Sequence, residues 1–231
     1  MSWLSDLRKR QPGRPLWRIA VWQFMQAASW LYLLLVYRCR SWGTRHIPDT
    51  GPVLLLSNHQ SFYDPIVIGF GASKRHFFSL GRSTLYTTPI ARLFEKVSNS
   101  IAVEQGAGDV KAMKRCIEVL KDDQALMLFP EGARTLSGEV EKFETGAMLI
   151  IKRARPQVVP VAIEGAFDLW PRGQKRPSFG GGRFRGRMGV MYGPPIAADT
   201  LVAMKPDAAL EMVRQQIDAM RQDVGEKLRR S

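Results

Sequence analysis

Between residues 53 and 163 the chain repeats one alternation: a short unbroken apolar run, a polar break, then a stretch whose apolar residues fall three and four apart. The apolar runs lie at 53–56, 77–80, 101–103, 125–129 and 158–163. None alternates with period two, so each predicts a strand buried on both faces. Helices are expected between them. Asp64-Pro65 and Thr88-Pro89 each offer an N-cap followed by proline at the first helical position. After Asp109, the residues Val110, Met113, Ile117 and Leu120 have helical spacing, with Cys116 packing beside them. After Thr145 a helix is expected to about Arg153, with Lys152 and Arg153 in its last turn, where cations are favoured. A late strand is predicted at 188–192. From about Asp207 a final helix carries Leu210, Val213, Ile217, Met220, Val224 and Leu228 on one stripe. The pattern is that of an α/β fold, a mostly parallel central sheet flanked by helices. No internal repeat interrupts it.

The first 45 residues break this rhythm. Arg8, Lys9, Arg10, Arg14 and Arg18 precede or open a largely apolar segment, residues 16–37, and Arg38 and Arg40 close it. A spanning helix needs about 20 apolar residues, and this run is long enough. Arg18, Gln23, Gln26 and Ser29 interrupt it within one arc, so the segment is amphipathic as well as hydrophobic. Basic flanks on both sides argue against a simple crossing and for a helix, or helical hairpin, lying in the membrane interface. Trp17, Trp22, Trp30, Tyr32 and Tyr37 suit a headgroup belt, and no site for removal of a leader follows the run. Two parts are expected: residues 1–45, a basic, apolar, membrane-associated helical segment, and residues 46–231, the α/β domain.

Charge and cysteine content narrow the class. The 231 residues carry a formal charge of +13, which predicts an anionic partner: nucleic acid, an anionic membrane surface or a phosphorylated small molecule. Two cysteines, Cys39 and Cys116, exclude a disulfide framework and a cysteine-rich zinc site and suit a reducing compartment. Residues 172–187 hold six basic residues, five glycines and no acid, and are expected to form a mobile basic loop.

Candidate chemistry sits where two apolar runs stop. The first stops at Ser57-Asn58-His59, with Asp64 five residues after the histidine. In parallel sheets, ligands bind beyond the carboxyl ends of the strands. An imidazole there can take a proton from a hydroxyl, and works best when a carboxylate holds its other nitrogen. His59 and Asp64 form such a pair; alternatively Asp64 is an ordinary N-cap and His59 bonds loop backbone. Ser57 and Ser61 lack a nucleophile's setting, and no G-x-S-x-G elbow is present. The substrate is therefore expected to bring its own hydroxyl. The second run ends in Glu131, Gly132 and Arg134. Gly132 permits a sharp turn, and Arg134 can hold a phosphate bidentately. Glu131 could pair with Arg134 or bond a substrate hydroxyl. Lys142 and the start of the helix after Thr145 add anion contacts. His46 and His76 are read as structural.

These residues carry a resemblance. "NHQSFYD" at 58–64 resembles the NHxxxxD motif of the glycerolipid acyltransferases, the lysophosphatidate (1-acylglycerol-3-phosphate) acyltransferases and relatives. "FPEGART" at 129–135 resembles their FPEGTRS block, with Ala133 and Thr135 departing. "KFETGA" at 142–147 and "VVPVAIEG" at 158–165 resemble the third and fourth stretches, in the family's order. The resemblance implies that His59 is the general base, oriented by Asp64. An acceptor hydroxyl would then attack the thioester of an acyl-CoA or acyl-carrier protein directly. It implies Asn58, Glu131, Gly132, Arg134 and Lys142 as substrate-binding residues, no metal, and no cofactor beyond the acyl donor. It further implies membrane lipids and a lysophospholipid acceptor as partners, at the cytoplasmic face of a membrane (the inner membrane in a bacterium).

One stretch departs from the pattern. Where the family often has G-x-I-x-V-D-R, residues 98–106 read "SNSIAVEQG", with Glu104 and Gln105 in place of Asp and Arg. This opens the acceptor to another lysophospholipid or lipid hydroxyl, and Lys74, Arg75 or Arg82 could compensate. Two other classes stand beside the acyltransferase reading. Net charge and the basic loop suit a nucleic-acid-binding protein, although no RNP-like block, helix-turn-helix or zinc spacing is present and no nucleic-acid partner is expected. An esterase would need a marked nucleophile, which the sequence lacks.

Overall fold

A computed structural model describes residues 15–73, 75–82, 99–103 and 110–230. The chain begins with α1 (Leu16–Tyr37), followed by β1 (Arg40–Trp42) and β2 (Val53–Ser57). Then come α2 (Asp64–Gly71), β3 (Phe77–Arg82), β4 (Ser100–Val103), α3 (Val110–Lys121), β5 (Ala125–Leu128) and α4 (Gly146–Ala154). The last third holds β6 (Gln157–Glu164), β7 (Gly189–Tyr192), β8 (Ile196–Ala197), α5 (Ala198–Val202) and α6 (Pro206–Arg230). The strands form one sheet in the order β1-β7-β6-β2-β5-β3-β4, with β8 also paired to β6. Every pairing from β6 through β4 is parallel, while β7 and β8 run antiparallel to β6. The fold class is thus the one the alternation predicts, and all five apolar runs are strands. The Thr88-Pro89 helix start, Lys74, Glu104 and Gln105 lie outside the described residues, as does the Arg82 side chain.

Burial explains the unbroken runs. Leu54 and Leu56 of β2 face one core, which is filled by α3, α4 and α6. Val53 and Leu55 face the other, under α1 and α2. Both faces are dry, so no polar alternation is tolerated. Pro160 sits in the middle of β6, where a missing N–H would usually break the ladder. It is accommodated because the antiparallel neighbour changes there: β8 pairs with Gln157 and Val158, and β7 takes over at Val161.

Three expectations change. First, the boundary at 45 does not separate two bodies. β1 joins the sheet beside β7, and Leu33, Tyr37 and Cys39 belong to the core beneath α2. Second, the polar arc of α1 points inward: Gln26 Nε2 donates to the Gly69 and Ala72 carbonyls at 3.0 and 3.4 Å. Those carbonyls end α2 and need donors from outside their own helix. The outward face is apolar instead, with Phe24 75% and Leu35 70% exposed. Trp22 packs on His76 at 4.7 Å and Tyr37 is wholly buried, so neither belongs to a headgroup belt.

Third, the basic segment is not a loose loop. Ser178 N–H donates to the Leu169 carbonyl at 2.8 Å, and Gly186 N–H to the Gly181 carbonyl at 2.7 Å. Arg183 binds Asp168 and Glu164, and Phe184 is buried against Val224 and Leu228 of α6.

Candidate active site

β2 and β5 are parallel neighbours in register, Leu56 opposite Leu128. The loops leaving their carboxyl ends therefore emerge side by side, although 72 residues separate His59 from Glu131. This register brings the two polar breaks into one place. The His59 ring stacks on Phe129, with centroids 3.9 Å apart and planes within 9°. Its backbone is clamped by the second loop: His59 N–H donates to Glu131 Oε1 at 3.0 Å, and Thr135 N–H donates to the His59 carbonyl at 2.8 Å.

Asp64 is fully buried and directs a single oxygen at three donors. Its Oδ2 lies 2.7 Å from His59 Nδ1, 2.6 Å from Gln60 N and 2.7 Å from Ser61 N. The two backbone bonds fix the carboxylate before the imidazole meets it. With Nδ1–H donated to Asp64, the lone pair is left on Nε2, on a side chain that remains 20% exposed. Asp64 is not the N-cap suggested by the Asp-Pro pair. Tyr63 occupies the capping position, and the carboxylate reaches back to the preceding loop.

The other expected site residues divide. Arg134 lies over the Phe62 ring, 3.4 Å from guanidinium carbon to centroid, so the NHQSFYD segment contributes the surface on which the guanidinium rests. Gly132 is exposed and adopts φ +72°, a conformation that L side chains rarely adopt; its N–H closes a turn onto the Phe129 carbonyl at 3.2 Å. Asn58 differs from expectation. It is wholly buried, and its amide is committed to Ile163, donating to the carbonyl at 2.9 Å and accepting the N–H at 2.8 Å. It extends the β2–β6 ladder by a side chain, one residue before His59. Lys142 is exposed in the segment leading to α4. Glu131 is 9% exposed, and burial pushes its carboxyl up to about 8, with the charges of Asp64 and Glu141 adding to the rise and the His59 N–H opposing it. His46 and His76 are structural, as expected: His46 Nδ1 lies 2.8 Å from the Tyr192 carbonyl.

Some participants left no signal in the local sequence. Gln60 donates to the Gly138 carbonyl at 2.8 Å and reaches Glu164 at 3.4 Å. Glu164, at the end of β6, is held by Arg221 of α6 at 2.8 Å, and Arg221 also bonds Glu139 and, at 2.9 Å, Asp218. The arginine lies on the apolar stripe of α6, where a spacing argument expects a core residue. Beside Phe129, an apolar cavity of about 280 Å³ is lined by Leu80, Met113, Cys116, Leu128 and Ile150, with Gly132 and Glu144 at its polar edge.

Known proteins resemble this chain. The 1-acyl-sn-glycerol-3-phosphate acyltransferase of Streptococcus pneumoniae is 26% identical over 193 residues, which cover 80% of this chain and 67% of that protein. The Pseudomonas aeruginosa protein of the same name is 26% identical over 200 residues, 81% of this chain and 71% of that one. A chloroplast 1-acyl-sn-glycerol-3-phosphate acyltransferase of Arabidopsis thaliana is 27% identical over 143 residues, 60% of this chain. The match spans only 39% of that plant protein's length. The crystal structure of the 1-acyl-sn-glycerophosphate acyltransferase from Thermotoga maritima superposes with a TM-score of 0.74 at 19% identity, covering 95% of this chain and 86% of that one, and shares its fold. Residues 38–164, more than half of the chain and the part that carries the histidine and arginine loops, match the Acyltransferase family, and the protein belongs to that family.

Proposed function

We propose that the protein transfers an acyl group from an acyl thioester, acyl-CoA or acyl-carrier protein, to the hydroxyl of a lysophospholipid, with 1-acylglycerol-3-phosphate as acceptor and phosphatidate as product. The observation that carries this reading is the 2.7 Å contact between His59 Nδ1 and the buried Asp64 carboxylate. It leaves Nε2 as a base. The acceptor hydroxyl gives its proton to Nε2 as its oxygen attacks the thioester carbonyl. The tetrahedral adduct collapses with cleavage of the C–S bond, and the imidazolium returns the proton to the leaving thiolate. Asp64 stabilises the imidazolium meanwhile.

Arg134, set on Phe62, supplies a planar donor for the acceptor's phosphate. The cavity beside Phe129 offers an apolar lining for an acyl chain, next to the imidazole that must meet the thioester. The exposed apolar face of α1 lies in the membrane interface, where a lysolipid acceptor resides.

The test is acyl transfer from labelled acyl-CoA to a panel of lysolipids differing in headgroup. His59→Ala is expected to abolish turnover with the melting transition nearly unchanged; retained turnover refutes the base. Preference within the panel tests the acceptor, for which Glu104 and Gln105 in place of Asp and Arg make other headgroups the pertinent competitors.

A further inference from the structure

The basic segment that the mechanism does not use is a folded platform with a divided set of cations. Arg183, although half exposed, is paired with Asp168 and Glu164, and Arg187 donates to the Leu228 carbonyl. Arg172, Lys175, Arg176 and Arg185 are exposed and make no ion pair among the described residues. Amid them stands Phe179, 72% exposed. One face of its ring lies parallel to Tyr37, with 6.4 Å between centroids. Tyr37 ends α1, and its hydroxyl donates to the Ser178 carbonyl at 3.1 Å.

The platform is therefore joined to the last turn of α1, where Leu35 and Val36 are exposed and Arg38 follows. It is also joined to the active site by ring contacts running Tyr37, Tyr63, Trp170 and Phe62 to the Arg134 guanidinium. An exposed aromatic ring surrounded by solvent-facing cations, continuous with an apolar helix face, fits a surface that is apolar inside and anionic at its rim.

We propose that residues 172–187 form a second bilayer contact that takes anionic phospholipid headgroups, with Phe179 entering the acyl boundary and Lys175, Arg176 and Arg185 meeting phosphates. The inference rests on the reading of α1 as membrane-facing, and it adds a second source of dependence on lipid charge beside the arginines that flank α1. The Phe62–Arg134 pair, which would receive the acceptor, is joined to both contacts through the Tyr37, Tyr63 and Trp170 rings.

The test is flotation of the purified full chain with phosphatidylcholine vesicles, with and without phosphatidylglycerol, in the absence of substrates. The double variant K175Q/R176Q is expected to lose about 25-fold in affinity for the anionic vesicles, about fivefold per charge. Binding to neutral vesicles stays unchanged, and high salt erases the difference. Phe179→Ala is expected to weaken binding to both vesicle types roughly tenfold. Leu35→Ser on α1 should weaken both while preserving the ratio between them, so a failure of the α1 reading leaves the charge-dependent ratio as a separate measurement. An unchanged ratio in K175Q/R176Q overturns the proposal. So does a raised KM for acyl-CoA in that variant with the ratio intact, which would assign the cations to the donor's phosphates.

Discussion

Replacing Glu131 with glutamine separates what its carboxyl does by accepting a hydrogen bond from what it does by titrating. The side chain is nearly enclosed and accepts the His59 N–H through Oε1. Burial, reinforced by Asp64 and Glu141, pushes its carboxyl from 4.5 up to about 8. Between those values the folded protein holds a proton that the unfolded chain has released, so stability falls as pH rises through the window and levels off above about 8. At about 1.4 kcal/mol per pH unit the whole window bounds the loss at roughly 5 kcal/mol, and relaxation around the ionised carboxyl brings the expected loss to about 2–4 kcal/mol.

Glutamine keeps an oxygen for the His59 N–H and cannot ionise. Denaturant unfolding in detergent, measured on both sides of the window, should show the wild type weakening toward high pH, with the Glu131→Gln variant losing most of that slope. Parallel slopes for the two proteins would refute the claim that this carboxyl is kept neutral by its surroundings. Glu131→Ala removes the acceptor as well, and should cost about 1–3 kcal/mol at the acid end of the window because the His59 N–H is left unpaired, the difference from wild type shrinking as pH rises because alanine does not titrate.

Further outcomes follow from the same contacts. Asp64→Asn retains an oxygen for Gln60 N–H and Ser61 N–H but removes the charge that stabilises the imidazolium; kcat should fall about 10³–10⁴-fold with little change in KM, and a loss below tenfold would contradict the orienting role. Asn58→Ala strands the buried N–H and carbonyl of Ile163 and should destabilise by about 2–4 kcal/mol, read as a lowered unfolding midpoint; KM for the acceptor shifting without that loss would return Asn58 to the substrate. Arg221→Met removes the nearer of the two cations on buried Glu164 and leaves only the exposed Arg183 at 3.4 Å, at a cost of about 3 kcal/mol. Adding Glu164→Gln should recover much of that cost in a double-mutant cycle, and strict additivity would show that the two side chains are not coupled.

The strands and the two polar breaks were legible because a sheet buried on both faces leaves an unmistakable apolar run, and because chemistry gathers where such runs stop. What was not legible depends on contacts across the fold. The polar arc of α1 reads as a solvent face until the α2 carbonyls at Gly69 and Ala72 are seen to need it. Tyr37 looks like an interfacial aromatic, yet it is buried where α1, Tyr63 and the basic platform meet. Arg221 sits on the apolar stripe of a helix and owes its burial to Glu164, 57 residues away. Asn58, next to the histidine, invites a substrate role, and its bonds to the Ile163 backbone, 105 residues on, could not be foreseen. Composition gave the basic segment its charge but not its shape, which Asp168, Glu164 and the α6 core impose.

The pairing of β2 with β5 also gives the second motif a mechanical role. If the loop after β5 only bound an acceptor, its contacts should point outward. Instead Glu131 and Thr135 hold the N–H and the carbonyl of His59, and Thr135 Oγ1 is in turn fixed at 3.0 Å from Glu141 and accepts the Gly138 N–H at 3.2 Å. In the opposite direction, Phe62 of the first loop carries the Arg134 guanidinium of the second. Each loop therefore supplies the support for the other's functional group. A displacement of Arg134 by a bound anion must act on Phe62, two residues from Asp64, while a shift at Glu131 acts directly on His59, the proposed base. Substitutions in either loop are for that reason expected to change kcat and acceptor KM together, and a variant of Thr135 that alters only one of the two would show that the loops act independently.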